Sequence, residues 1–187
     1  GRYSIMSVLE VVNYGNPILR KKCSQVTNFS KLSDFIDDMF DTMYEEEGIG
    51  LAANQVGFDL NLFIIDISHT KDSEFPRIFI NGEITSSRGE SIFSEGCLSI
   101  PEVALEVTRP EVISFKYQDI NEKWHIEQFD GLLARAIQHE IDHLNGVLII
   151  DLVSEMQRLK VNKEIKKIKN DSIVKLKRQP ITKGFVL

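Results

Sequence analysis

Residues 130–146 read DGLLARAIQHEIDHLNG. Asp130 is a residue type that caps helix N-termini, and Asn145-Gly146 tolerates the left-handed backbone at which helices stop. A helix from about Asp130 to Leu144 is predicted between them. Leu132, Leu133, Ala136 and Ile137, then Leu144, Val147 and Leu148, are apolar, so this helix is expected to be buried. It nevertheless carries His139, Glu140 and His143, and buried polar residues need a reason to be there. The set spells H-E-x-x-H. Residues four apart share a helical face, so the two imidazoles can grip one ion. Glu140 projects beside that ion without ligating it, as suits a base acting on activated water. The motif is short, and two helical histidines are often core or surface residues with no metal.

A third ligand type stands upstream in Glu95-Gly96-Cys97-Leu98-Ser99-Ile100-Pro101. Gly96 permits close backbone approach and Pro101 stiffens the exit. Alone, a free cysteine is usually a small buried hydrophobe. With two helical histidines it completes a three-ligand set that leaves one position open, as a catalytic centre requires. A closed structural site would want a fourth Cys or His. His69 and His125 lie in no matching motif and read as a turn residue and a strand-face residue. Cys23, between Lys22 and Ser24, reads as structurally neutral, and a disulfide with Cys97 is not expected in a reducing cytosol.

The rest of the chain frames this helix. Its 187 residues suit a single domain, with a core of about 6–153 and a basic C-terminal helix and tail of about 154–187. No apolar run approaches the roughly 20 residues of a membrane helix. The start, Gly1 to Leu9, lacks a signal-peptide pattern, so a cytoplasmic location is expected. Met6 is a candidate initiator, and residues 1–5 are read as added or processed. Ser30 to Glu47 is predicted to be an amphipathic helix capped by Ser30, with Leu32, Phe35, Ile36, Met39, Phe40 and Met43 on one face. Asn61 to Ile67, Arg77 to Ile80, Glu111 to Tyr117 and Lys123 to Phe129 read as strands, the last two joined by a turn at Asp119 to Glu122. A long basic helix is predicted from about Val153 to Lys177, ending before Pro180. This grouping points to an α+β fold with mainly antiparallel sheet. Residues 153–187 hold ten Lys/Arg against three Asp/Glu, net +7, which leaves −13 for the remainder.

Gly48-Ile49-Gly50-Leu51-Ala52-Ala53-Asn54-Gln55-Val56-Gly57 is a third stretch, alone no more than a glycine-bounded turn. Together the three segments closely resemble the signature motifs of peptide deformylases, G-φ-G-φ-A-A-x-Q, E-G-C-L-S and Q-H-E-x-D-H, in that order. Met6-Ser7-Val8-Leu9 and Tyr14-Gly15-Asn16-Pro17-Ile18-Leu19-Arg20 also resemble that family, and the likeness covers roughly residues 6–150. Ile80-Asn81-Gly82-Glu83 departs from it, with Gly where relatives commonly have Pro, and reads as a loop difference. The resemblance implies mainly antiparallel sheets around a central metal-binding helix. It implies removal of the formyl group from the N-terminal formylmethionine of new polypeptides. Cys97, His139 and His143 would be the ligands, Glu140 the general base, and Gln55 with the Leu98 backbone N–H the oxyanion donors. Ferrous iron (Fe2+) is the usual ion in many members, and Zn2+, Ni2+ or Co2+ can take its place. A formyl-peptide substrate would pair its backbone with Ile49-Gly50 and Gly96. Its methionine would lie among Ile49, Phe93, Leu132, Ala136 and the stem of Arg135. Arg109 is either a surface charge or a brace for Glu47 or Glu95.

Two other functions fit parts of the pattern. A zinc endopeptidase would take a downstream third ligand, and Asp151 or Glu155 is available. A non-catalytic module would use the metal structurally and the basic tail for RNA. For the deformylase reading, the tail suggests an electrostatic hold on the ribosome through Lys160, Lys163 and Lys167, with Leu159, Ile165 and Ile168 docking the helix on the body.

Overall fold

The structure is a computed structural model and describes residues 8–178. Residues 1–7, with Met6, and residues 179–187, with Pro180, lie outside the described residues. Along the chain run α1 (Leu32–Glu45), β1 (Gly50–Ala52), β2 (Leu62–Ile65), β3 (Arg77–Arg88), β4 (Ser91–Cys97), β5 (Ile100–Arg109), β6 (Val112–Gln118), β7 (Trp124–Phe129), α2 (Gly131–Leu144), α3 (Glu155–Lys160) and α4 (Asn162–Arg178). Five strands make one antiparallel sheet in the order β1-β2-β3-β6-β7, and β4 pairs with β5 as a separate hairpin. The expected α+β class with antiparallel sheets is what the chain adopts.

β2 explains the layering. Its four residues Leu62–Ile65 are all buried because both faces of the sheet are covered. Phe63 and Ile65 pack with Phe79, Phe115, Ile137 and Ile141 beneath α2. Leu62 and Ile64 pack with Ile36, Met39 and Met43 beneath α1. β6, covered on one side only, alternates, with Ile113, Phe115 and Tyr117 inward. The Phe63 ring lies 4.9 Å from Phe79 and 5.9 Å from Phe115, within the range for favourable aromatic pairs. The hairpin has its own core, in which Val103, Leu105 and Val107 meet Leu148, Ile149 and Ile165.

Several local expectations are corrected. α1 starts at Leu32, and Ser30 bonds to Asn28 instead of capping the helix. Asp130 is the N-cap of α2 through its backbone alone. Ile80–Glu83 is a bulge inside β3 and not a loop: Asn81 has φ +54, its amide pairs with Val26, and Gly82 lets the Phe115 ring approach. β1, β4 and β5 were not expected. β5 does carry a period-two signal in Val103, Leu105 and Val107, whereas β4 is too polar to show one. The long C-terminal helix is two helices, broken at Val161, whose backbone (φ −114, ψ 8) leaves the helical region. Lys160 therefore lies on a different helix from Lys163 and Lys167, so the three-and-four spacing does not by itself put the three on one helical face. Leu159 is 65% exposed and docks nothing, while Ile165 is buried and Ile168 packs beside it.

Gly146 closes α2 at φ +76, and a Cβ there would lie 2.5 Å from the Arg20 carbonyl oxygen. Gly57 has φ +90 but open space around its Cβ position. Gly57→Ala should cost only the left-handed backbone penalty of about 1–2 kcal/mol. Gly146→Ala should cost clearly more, read as the larger loss in urea unfolding. Equal losses would mean that the Arg20 segment yields freely.

Candidate metal centre

The i, i+4 spacing on α2 sets His139 and His143 side by side, Nε2 to Nε2 at 3.3 Å. Cys97 Sγ reaches within 3.3 Å of His143 Nε2, and the three donor atoms all lie within 4.8 Å of one another. A tetrahedral ion bonded at about 2.0–2.1 Å to nitrogen and 2.3 Å to sulfur holds its ligand atoms roughly 3.3–3.6 Å apart. The donor set therefore fits one ion of that kind. Asp151 is taken up elsewhere: it accepts Arg20 Nη1 at 2.5 Å and the Leu148 N–H at 2.9 Å. Neither it nor Glu155 belongs to the cluster, so the downstream ligand of an endopeptidase is not found among the described residues.

Cys97 closes β4, where the pairing with β5 shifts register after Gly96. The N-terminal segment supports the turn beyond it, with Tyr14 N–H donating to the Ser99 carbonyl at 2.8 Å. Val12 N–H donates to the Gln55 carbonyl, also at 2.8 Å. Gln55 is 1% exposed; its Nε2 donates to Ser99 Oγ at 3.1 Å and lies 3.8 Å from Cys97 Sγ, and its Oε1 accepts the Ala52 N–H. Leu98, next to Cys97, packs against Gly48.

Glu95 is a hub that the sequence offered only as one of two partners for Arg109; its contacts with Arg135 and His139 were not expected. It accepts Arg109 Nε at 2.7 Å and Nη2 at 2.9 Å, Arg135 Nη1 at 2.5 Å and His139 Nδ1 at 2.8 Å. Arg109 is no surface charge; it also donates to Asp142 at 2.8 Å, so of its two expected partners Glu95 is the real one. Nothing in the spacing signals these contacts. Burial alone would raise the Glu95 carboxyl, but His139 and Arg109 overcome it and hold it down at about 2. Burial opposes charge on His139, yet the Cys97 sulfur and Glu95 carry it well above the ordinary histidine value. Burial, then repulsion from His139, keeps His143 well below it.

Glu140 is 4% exposed, and its Oε1 has no hydrogen-bond partner. Burial pushes it up to about 7, against the pull of His139. Gly50 is required beside it, since a Cβ there would overlap the Glu140 carboxylate. All of this opens on a cavity of about 910 Å³. Its walls include every expected substrate residue: Ile49, Gly50, Phe93, Gly96, Leu132, Arg135 and Ala136. Arg135 lies with its guanidinium carbon 5.8 Å from the Phe93 ring centre and its N–H groups turned to Glu95, Val107 and Ser91. Glu46, Glu47 and Glu102 line the same cavity and were not anticipated. Cys23 is free and buried, and burial pushes its thiol up to about 11, which suits an inert role. His69 sits in a turn, and His125 on β7 stacks against Tyr117.

Residues 8–159 match the family model described as polypeptide deformylase. A peptide deformylase of Brucella suis biovar 1 is 44% identical over 165 residues, covering 87% of this chain and 94% of that one. The crystal structure of a peptide deformylase from Legionella pneumophila superposes with a TM-score of 0.80 at 38% identity, covering 93% of this chain and all of that one. A peptide deformylase from Synechococcus elongatus, solved in complex with actinonin, gives 0.78 at 39% identity over 88% of this chain and 94% of that one.

Glu95 titrates below an ordinary carboxylate, so its contribution to stability is complete above about pH 4.3, the unfolded value, and is lost as pH falls toward 2. Its size is roughly 3 kcal/mol. In metal-stripped protein, Glu95→Gln should lower the melting temperature at pH 6 and flatten its fall between pH 5 and 3. A variant whose curve runs parallel to the parent's would refute this role.

Proposed function

The chain belongs to the polypeptide deformylase family, and from that premise we propose that Cys97, His139 and His143 hold one divalent ion beside Glu140. The reaction is the family's metal-dependent hydrolysis: removal of the formyl group from the N-terminal formylmethionine of newly made polypeptides, releasing formate. One observation carries the residue assignment. Three donor atoms converge with the spacing of a single ion, and the unpartnered Glu140 lines the cavity beside them.

A bound ion supplies Lewis acidity and lowers the pKa of water toward neutrality. Glu140 takes the proton of the water that attacks the formyl carbon. It then passes that proton to the amine nitrogen as the C–N bond breaks. Gln55 Nε2 and the Leu98 N–H donate to the formyl oxygen as negative charge builds there; one such donor can be worth roughly 3–4 kcal/mol. The Ser99 hydroxyl and the Ala52 N–H fix the Gln55 amide in advance, so little reorganisation remains for the reaction step. Ile49, Gly50 and Gly96 supply peptide-pairing backbone. Phe93, Leu132, Ala136 and the Arg135 stem give the methionine an apolar bed. Ferrous iron is the resident ion in the cell, and Zn2+, Ni2+ or Co2+ can replace it, since a thiol and two imidazoles suit all four.

The proposed partner beyond the peptide substrate is the ribosome, in the cytoplasm. Among the described residues no helix is long and apolar enough to cross a membrane. The chain acts as a single deformylase domain, with α3 and α4 as its C-terminal extension. Lys163, Lys166, Lys167 and Lys169 are exposed on α4, while Lys175 pairs with Glu10. Because Ile165 is buried in the hairpin core, truncation before α3 would damage the fold. Lys163→Glu with Lys167→Glu is the cleaner test. It should weaken ribosome co-sedimentation and its salt dependence while sparing turnover of a short formyl-peptide. Binding equal to the parent's would remove the ribosome from the account.

Glu140→Gln should retain one ion per chain and lose at least about a hundredfold in turnover of a formyl-Met peptide. Cys97→Ser, His139→Ala and His143→Ala should each lose stoichiometric metal. Near-normal turnover in the first, or full metal content in any of the others, would sink the assignment.

A further inference from the structure

The two histidines of the centre are held differently. His139 gives Nδ1 to Glu95 at 2.8 Å, which leaves Nε2 as its lone-pair nitrogen. His143 turns Nε2 toward Cys97 Sγ and His139 Nε2, 3.3 Å from each, so its Nδ1 lies on the edge of the ring nearer its own backbone. The ring is 1% exposed, and Nδ1 is buried without a partner. A histidine that ligates through Nε2 carries its proton on Nδ1, and ligating histidines almost always give that N–H to an acceptor.

Asn54 is the side chain that hydrogen-bonds the His143 backbone. It is wholly buried in the 3-10 turn Ala53–Val56, next to Gln55, which faces the cavity side. Its Nδ2 donates to the His143 carbonyl at 2.6 Å and reaches the Ile18 carbonyl at 3.5 Å. Its Oδ1 is buried and accepts nothing. Among the described residues, the buried side-chain polar atoms without a partner are Asn54 Oδ1, Glu140 Oε1 and His143 Nδ1. Glu140 lines the cavity against Gly50, whereas neither His143 nor Asn54 is in the cavity wall. The other two are an acceptor and a ring nitrogen that becomes a donor when protonated, on residues already joined by a hydrogen bond. Buried polar atoms are paired as a rule, directly or through enclosed water.

We propose that Asn54 is the positioning residue of His143. Its Nδ2 fixes the backbone of the last turn of α2. Its Oδ1 accepts the Nδ1 proton, directly or across one enclosed water, so that Nε2 is the ligating nitrogen. The proposal rests on the reading of His143 as a ligand. One imidazole then has an anionic orienter, Glu95, and the other a neutral one. The turn that offers Gln55 to the substrate also locks the metal's second histidine, so the two parts of the site move together.

The test uses full-length protein labelled with 15N-histidine and loaded with Zn2+. Long-range 1H–15N correlation should find His143 as the Nδ1–H tautomer, with that proton slow to exchange. Asn54→Ala should speed the exchange and raise the Kd for Zn2+ about 10–100-fold, measured by competition with a chelating dye. Asn54→Asp, which keeps an acceptor, should restore the Kd to within about threefold. A merely structural Asn54 would lower Tm in both variants alike and leave the Zn2+ Kd and the His143 signal unmoved, which would overturn the proposal. So would ligation through Nδ1, or a fast-exchanging Nδ1 proton, in the wild-type protein, and that measurement decides the matter even if Asn54→Ala does not fold. A wild-type chain that takes up no Zn2+ overturns the ligand reading as well. Normal uptake with an indifferent Asn54→Ala overturns Asn54 alone.

Discussion

A carboxylate taken out of water is costly unless its lone pairs are filled, and Glu95 is filled by two arginines and a histidine. Those donors come from β5 and α2, while Glu95 sits on β4. The hairpin shares no strand pairing with the main sheet, so this ionic knot is a principal tie between it and the helix. Cys97 is two residues beyond Glu95 on the same strand. The interaction that orients His139 therefore also sets the distance from the thiol to both imidazoles. Removing one partner from such a cluster typically costs about 3–5 kcal/mol, because it strands the charges left behind.

The main sheet makes that arrangement rigid. α2 lies on a floor of Phe63, Phe79 and Phe115, and α1 covers the opposite face. A helix packed this way cannot roll without unpacking Ile137 and Ile141, which share the core with those rings. The polar residues of α2 are thus fixed by apolar ones between them. Glu140 and His143 are buried and His139 is half-buried, so polar residues stand where a core-facing helix is ordinarily apolar, and they coincide with the chemistry. Asp142 meets Arg109 on the same helix, so the charge set is tied down from more than one side.

The electrostatics of the centre are unequal by construction. Glu95 places a carboxylate behind His139, whereas no carboxylate hydrogen-bonds His143 among the described residues. Around the cavity the carboxylates Glu46, Glu47 and Glu102 add negative potential, and Arg135, turned inward to Glu95, does not offset it. Burial keeps the Glu140 carboxyl near neutrality in the metal-free state, so it stands between acid and base.

The sequence by itself determined what depends on local spacing. α2 was bounded to within a residue because its cap types, apolar period and terminal Gly146 all act within a few residues. The histidine pair followed because i and i+4 share a face in any helix. β6, β7 and their turn were legible as runs rich in β-branched and aromatic residues on either side of Asp119–Glu122. Only the tertiary structure decided the rest. Glu95 meets His139 across 44 residues of chain and Arg109 across 14, and no local pattern encodes which carboxylate a buried arginine will find. β4 shows no clear alternation because its one buried residue is a charge, Glu95, satisfied by partners distant in the chain. The break at Val161 and the exposure of Leu159 are likewise invisible to a basic, helix-prone segment. Beyond the break, Ile165 packs in the hairpin core and the Ser172 hydroxyl donates to the Asn13 carbonyl, contacts that a local pattern does not encode.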